Sequence, residues 1–289
     1  MFKGIYTAII TPFLNGKIDE EAFNSLVAEQ KENDVSGVVI SGTTGESPNL
    51  SRKEKETLLN IALKYKSDNF KIILGTGSNS TKHTIEETYY FQNKGIDGVL
   101  LVTPYYNKPT QEGLYLHYKE IHDNTEIPII LYNVPGRTSV SLNLDTIIKL
   151  HSLKKIVSIK EASGNLFFDA QIRNALPDIS LLSGDDGTFL PFLSIGGDGC
   201  ISVVSNIAPK LLVDIYKAYK EGNIKKAMEL NKYQIELTKA LFLETNPIPV
   251  KTALVEMNKI SEEFRLPLIK MNELNRRMLR MTLKNFGLI

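Results

Sequence analysis

The stretch PIILYNVPGRTSVSLNLDTIIKLHSLKKIVSIK, residues 128–160, decides the fold. It opens on an almost wholly apolar run, PIILYN (128–133), and closes on another, KIVSIK (155–160). Between them, Leu144–Leu150 has helical character. A strand, a helix and a second strand in that order make a βαβ unit with parallel strands. Nearly continuous apolar runs are what strands buried on both faces require.

The same alternation extends in both directions. Strand-like runs recur at IYTAIIT (5–11), VSGVVIS (35–41), KIILGT (71–76), GVLLVT (98–103), ISLLS (179–183) and GCISVV (199–204). Helical segments separate them at residues 19–33, after Ser51, and at 81–93, 111–123 and 166–176. Ser51 with Glu54 three residues on forms a capping box. Eight such units predict closure into a (β/α)8 barrel; a doubly wound open sheet is the alternative that the same pattern allows. After Asn206 the strand-like runs stop. Residues 211–221, 224–242, 250–257 and 271–286 read as helices. The expected organisation is a barrel domain over 1–222 and a helical region over 223–289. No Gly/Ser/Pro-rich linker precedes that region, so it is expected to dock on the barrel.

Composition narrows the function classes. The 289 residues are 42% hydrophobic and 23% charged, an ordinary globular balance. Net charge is +1 and the basic residues are dispersed, which argues against a nucleic-acid or other polyanion partner. Cys200 is the one cysteine, so no intrachain disulfide forms, in keeping with a reducing compartment. The opening MFKGIYTAIITPF reads as a first strand, because Pro12 follows and no cleavage site appears. No apolar stretch is long enough to span a bilayer. The cytoplasm is therefore the expected location.

In parallel barrels the active site lies at the carboxyl ends of the strands. Those ends carry Thr11-Pro12, Gly42-Thr43-Thr44-Gly45-Glu46, Gly75-Thr76-Gly77, Thr103-Pro104-Tyr105-Tyr106-Asn107, Tyr132-Asn133 with Arg137 beyond, Lys160-Glu161, and Ser183-Gly184-Asp185-Asp186. Lys160 ends an apolar strand, and period-2 alternation puts it on the face of Ser158 and Ile156. Desolvation on an inward face lowers a lysine pKa, and a neutral amine attacks a ketone to give a Schiff base. A strand-end lysine can equally snorkel to water. Tyr132 and Tyr106 end adjacent strands, where a phenol relays protons or simply packs. Arg137 follows a Pro-Gly turn, a rigid mount for a carboxylate clamp, though a single arginine there is more commonly a solvated loop residue.

The remaining signals are weaker. The GTTGE loop can cradle a small anion or merely turn the chain. Gly75-Thr76-Gly77 lacks the third glycine of a dinucleotide motif, since Ser80 stands there. Asp185 and Asp186 read as a cap for a helix starting near Gly187 rather than as metal ligands. His83, His117, His122 and His151 avoid the strand ends and form no HExxH, so no zinc site is expected.

Six fragments taken together, GTTGE (42–46), TPYYNKPTQEGLYLHY (103–118), YNVPGRT (132–138), IKEASGN (159–165), SGDD (183–186) and NPIPVK (246–251), resemble the dihydrodipicolinate synthase family. The family lies within the pyruvate-dependent class I aldolase and N-acetylneuraminate lyase group. The resemblance covers essentially the whole chain. It implies condensation of pyruvate with L-aspartate 4-semialdehyde, the first committed step toward diaminopimelate and lysine, without metal or organic cofactor. It implies a Schiff base on Lys160, with Tyr132 shuttling protons beside it and Thr43 linking Tyr132 to Tyr106. Thr44 matches a contact to the pyruvate carboxylate, and Arg137 the group that holds the semialdehyde carboxylate. Gly184 and Ile201 match positions whose backbone carbonyls line the site. Family members are usually homotetramers in which the residue matching Tyr106 crosses into the neighbouring subunit.

Ser47, Asn79 and Tyr105 match the lysine site of feedback-inhibited relatives. His83 stands where such a relative has a glutamate, however, and Lys55 where it has a histidine. An added cation and a lost carboxylate predict weak or absent inhibition by lysine. The nearest rival reading is N-acetylneuraminate lyase or another pyruvate aldolase; Arg137 with Thr43-Thr44 favours the synthase. From other classes, a metal-dependent lyase would use Asp185 and Asp186, and a non-catalytic barrel would have lost the lysine or the tyrosines.

Overall fold

The computed structural model describes residues 2–289. Its main sheet is a closed barrel of eight strands, each paired with its neighbours in chain order. The strands are β1 (Gly4–Ala8), β2 (Gly37–Ile40), β3 (Lys71–Gly75), β4 (Gly98–Val102), β5 (Ile129–Asn133), β6 (Ile156–Glu161), β7 (Ser180–Ser183) and β8 (Gly199–Ser202). Helices alternate with them, so the expected barrel is borne out and the open sheet is not. Every one of the eight apolar runs holds a strand. Missing from the sequence reading is a small antiparallel ribbon, Phe13–Leu14 with Lys17–Ile18.

By compactness the chain divides into two units. One holds the residues through Gly4 together with Lys71–Ile201; the other holds Ile5–Phe70 and Ser202–Ile289.

In the first unit, parallel pairing runs unbroken through β3, β4, β5, β6 and β7. Ile72, Leu74, Val99, Leu101, Ile129, Leu131, Ile159 and Leu181 are all fully buried along these strands. Burying such aliphatic side chains stabilises by about 1.5–3 kcal/mol each before the entropy of ordering is charged. Close approach of backbones fixes Gly77, where a Cβ would lie 2.6 Å from the Val102 nitrogen. Helix starts follow the caps legible in the chain. Ser80, Thr110, Asn143 and Asn165 each accept a first-turn N–H, opening helices Thr81–Phe91, Gln111–Asp123, Leu144–His151 and Leu166–Ala175.

In the second unit, Asn206 splints the end of β1. Its Nδ2 donates to the Ala8 carbonyl at 2.9 Å and its Oδ1 accepts from the Ile10 N–H at 3.1 Å. Helix Glu20–Glu32 buries Phe23, Leu26 and Val27. Helix Arg52–Leu63 begins at the Ser51–Glu54 capping box, with both reciprocal bonds present. Glu54 also takes the Arg265 guanidinium at 2.5 Å, which holds its carboxyl down at about 2. The chain ends in helices Pro209–Lys220, Ile224–Leu241, Ile248–Glu256 and Glu273–Asn285. All four expected C-terminal helices are present. Among the described residues no helix is long and apolar enough to cross a membrane.

Candidate active site

The carboxyl ends of β5 and β6 carry Tyr132 and Lys160. In the β5–β6 register Tyr132 lies opposite Lys160, and Asn133 opposite Glu161. The register shifts between Ile129 and Ile130, which pair with Ile156 and Ser158. Alternation therefore counts back from Lys160 to Ser158 but does not carry to Ile156, a small correction to the sequence reading.

Lys160 is 6% exposed, and its Nζ lies 4.2 Å from the centroid of the Tyr132 ring. The amine is thus held in the wall over an aromatic face rather than snorkelling to water. Tyr132 is equally buried. Just past the end of β7 lies Gly184, whose N–H donates to the Glu161 carbonyl at 2.6 Å. A Cβ at Gly184 would come within 2.9 Å of Lys160 Cε, so only glycine leaves room for the lysine stem. Ile201, on β8, is buried.

Behind this row a second polar layer is buried. Asn133 Nδ2 donates to Glu161 Oε2 at 2.6 Å, and the Asn133 Oδ1 accepts from the Leu142 N–H at 3.0 Å. Asp169, on helix Leu166–Ala175, is 3% exposed. Burial, reinforced by the charges of Glu161 and Asp185, lifts its carboxyl to about 7. Burial also raises the Glu161 carboxyl, partly offset by its bonds to Asn133 and Ser163.

The loops beyond the strands differ in exposure. Pro135–Thr138 is a single helical turn with Pro135 at its start, and it presents Arg137 as an exposed residue. After β4, Tyr106 is 90% exposed and adopts φ +74°, a left-handed conformation that costs a bulky residue. Asn107 Nδ2 donates to the Asn79 carbonyl, tying this loop to the one after β3. Asp185 Oδ1 accepts from the Gly187 N–H at 2.9 Å and Oδ2 from the Thr188 hydroxyl, so it caps that turn as expected.

In the second unit, Thr43 and Thr44 follow the end of β2. Thr44 is buried, and its hydroxyl accepts from Asn246 Nδ2 at 2.9 Å. Gly45 is crowded on two sides, and Thr11 donates to its carbonyl at 2.7 Å. Glu46 sits at φ +56° and binds Lys251 at 2.6 Å, with both side chains almost wholly buried. The Lys251 Nζ also lies 4.4 Å from the Phe13 ring. The GTTGE loop is therefore pinned by Asn246 and Lys251 of the segment NPIPVK.

Sequence reasoning named that segment as a motif without giving its residues a role. It also passed over the Asn133–Glu161 bond. The available signal was a carboxylate and an amide inside otherwise apolar strands, where a polar side chain needs a partner.

The sequence profile of the Dihydrodipicolinate synthetase family matches residues 1–286. A relative from Thermodesulfovibrio yellowstonii, named 4-hydroxy-tetrahydrodipicolinate synthase, is 50% identical over the full length of both chains. Among solved structures, a chloride-inhibited dihydrodipicolinate synthase from Acinetobacter baumannii complexed with pyruvate matches with TM-score 0.97. It is 42% identical, with 100% of both chains covered. The enzyme from Cyanidioschyzon merolae, solved with lysine bound, matches with TM-score 0.96 and 38% identity, over 100% of this chain and 99% of that one.

Proposed function

The chain belongs to the dihydrodipicolinate synthetase family, and from that premise we propose that Lys160 carries a pyruvate Schiff base on which the reaction is built. The protein is an enzyme, a lyase of lysine and diaminopimelate biosynthesis, with the synthase activity named for its relatives. The sister reading, N-acetylneuraminate lyase, draws no support from these relatives.

In the proposed reaction the Lys160 amine adds to the ketone carbon of pyruvate. Loss of water from the adduct gives the imine. Loss of a proton from the methyl carbon gives the enamine, whose carbon attacks the aldehyde of L-aspartate 4-semialdehyde. The amino group of that substrate then attacks the imine carbon, closes the ring and releases Lys160. Each stage moves a proton, and in this reading Tyr132 carries it, with Thr43 and Tyr106 as the relay onward. Thr44 holds the pyruvate carboxylate, Arg137 holds that of the semialdehyde, and carbonyls of Gly184 and Ile201 line the site. The observation that carries this reading is the buried Lys160 amine 4.2 Å from the Tyr132 ring.

A homotetramer fits the same reading, with Tyr106 entering the neighbouring subunit. Its support is the 90% exposure of a tyrosine held at positive φ. Lysine would be recognised through Ser47, Asn79 and Tyr105, but weakly, because Lys55 adds a cation and His83 stands in place of a carboxylate.

The test is borohydride reduction in the presence of pyruvate. A stable adduct on Lys160, absent in Lys160→Ala, supports the reading. A coupled assay with L-aspartate 4-semialdehyde should give activity in the wild type and none in that variant. Wild-type chain that takes up no pyruvate would reject it.

A further inference from the structure

Two residue rows stand side by side at the ends of β5 and β6: Tyr132 opposite Lys160, then Asn133 opposite Glu161. Side chains alternate along a strand, so the second row points to the opposite face from the first. Asn133 is fully buried and Glu161 is 2% exposed. Their side chains bond directly, Asn133 Nδ2 to Glu161 Oε2 at 2.6 Å. Glu161 Oε1 accepts from the Ser163 N–H. Asn133 Oδ1 accepts from the Leu142 N–H at 3.0 Å and the Ser141 hydroxyl at 3.3 Å. The backbones are tied as well, since the Ala162 N–H donates to the Asn133 carbonyl and the Gly184 N–H to that of Glu161.

An apolar pair would serve a barrel wall without the desolvation that a buried carboxylate suffers. What the polar pair adds is direction. A short charge-assisted bond fixes the separation and stagger of two strands at one residue row. That row adjoins the one bearing the amine and the phenol. The geometry points to Asn133 and Glu161 as positioning residues that hold Lys160 and Tyr132 in reacting register. The inference rests on the reading of Lys160 as the Schiff-base lysine. Neither residue touches substrate; each acts through the neighbour that precedes it in the chain.

The polarity of the bond can be reversed. Asn133→Asp alone sets two carboxylates against each other. Glu161→Gln alone sets an amide N–H against either Asn133 Nδ2 or the Ser163 N–H. The double variant restores a donor to an acceptor at every position and keeps the net charge. Each single variant should lose about tenfold in kcat and in the rate of borohydride-trappable imine formation, with KM for pyruvate within about threefold. The double variant should return both rates to within about threefold of the wild type.

Single variants that fold and keep wild-type rates would overturn the inference, as would a double variant that is not rescued. Where a single variant does not fold, Ser141→Ala takes its place, an exposed loop residue whose hydroxyl accepts from Asn133 Nδ2 at 3.1 Å. It should lower kcat by about threefold, and an unchanged kcat overturns the inference. Wild-type enzyme that traps no pyruvate overturns the Lys160 reading and this one together, whereas trapping in the wild type with unaltered variants overturns this one alone.

Discussion

A methyl group on Gly184 would stand 2.9 Å from Lys160 Cε and 2.6 Å from the Ala162 methyl. Both distances lie inside van der Waals contact. The Ala162 neighbour cannot swing away as a long side chain can, so the strain falls on the lysine stem and the adjoining strand. Gly184→Ala should therefore lower the rate of pyruvate imine formation by about 10- to 100-fold while the chain still folds. Stopped borohydride trapping, with circular dichroism as the control, measures this. Wild-type trapping rates would show that the lysine stem has room to spare.

The Glu46–Lys251 pair is buried on both sides. Burial pulls the Lys251 amine below the usual lysine range, and the nearby Glu46 charge opposes that pull. Lys251→Met leaves the carboxylate uncompensated and should cost about 3–5 kcal/mol in urea unfolding. Adding Glu46→Gln should recover most of the loss, because the stranded charge is then gone. A single variant as stable as the wild type would contradict the burial of that charge.

Asp169 titrates in the opposite sense to a paired carboxylate. Its folded value is raised from 3.8 to about 7, so its neutral form is the one the fold accommodates. The stability tied to that form is complete below about pH 4 and is lost as pH rises through about 7. Asp169→Asn keeps the shape and removes the charge. Its melting temperature should exceed that of the wild type at pH 8 by more than at pH 5. An equal difference at both values would mean that Asp169 is ionised without penalty.

Lysine should inhibit weakly. His83 is exposed on helix Thr81–Phe91 and Lys55 is buried on helix Arg52–Leu63. Calorimetry should give a lysine Kd weaker than about 1 mM. His83→Glu should tighten it, since that change restores a carboxylate for the ammonium. Tight binding by the wild type would reject the electrostatic argument.

The barrel was legible because most of the β runs are nearly continuous and apolar, and helical segments such as the one opened by the Ser51–Glu54 capping box alternate with them. The rim could be read because strand ends follow from strand positions, which put Lys160 and Tyr132 on one rim; that they are neighbours was implied by the family resemblance. Side-chain partnerships were not legible. Nothing local in IKEASGN says that Glu161 bonds to Asn133, 28 residues earlier. The register shift near Ile156 was also hidden, because a strand irregularity leaves no mark on an all-apolar run. The hairpin at Phe13–Ile18 was too short to show a period.

Glu46 and Lys251 are separated by 205 positions in the chain, and that interval has a meaning in time as well as in space. Synthesis runs from the amino end, so a ribosome that has delivered two hundred residues has made the acid and not yet the base. Until residue 251 has been made, the loop after β2 lacks the Lys251 cation with which it buries its carboxylate. A chain that stops short carries that debt permanently. The GTTGE loop thus gains this partner only after every strand of the barrel, through β8, has been delivered.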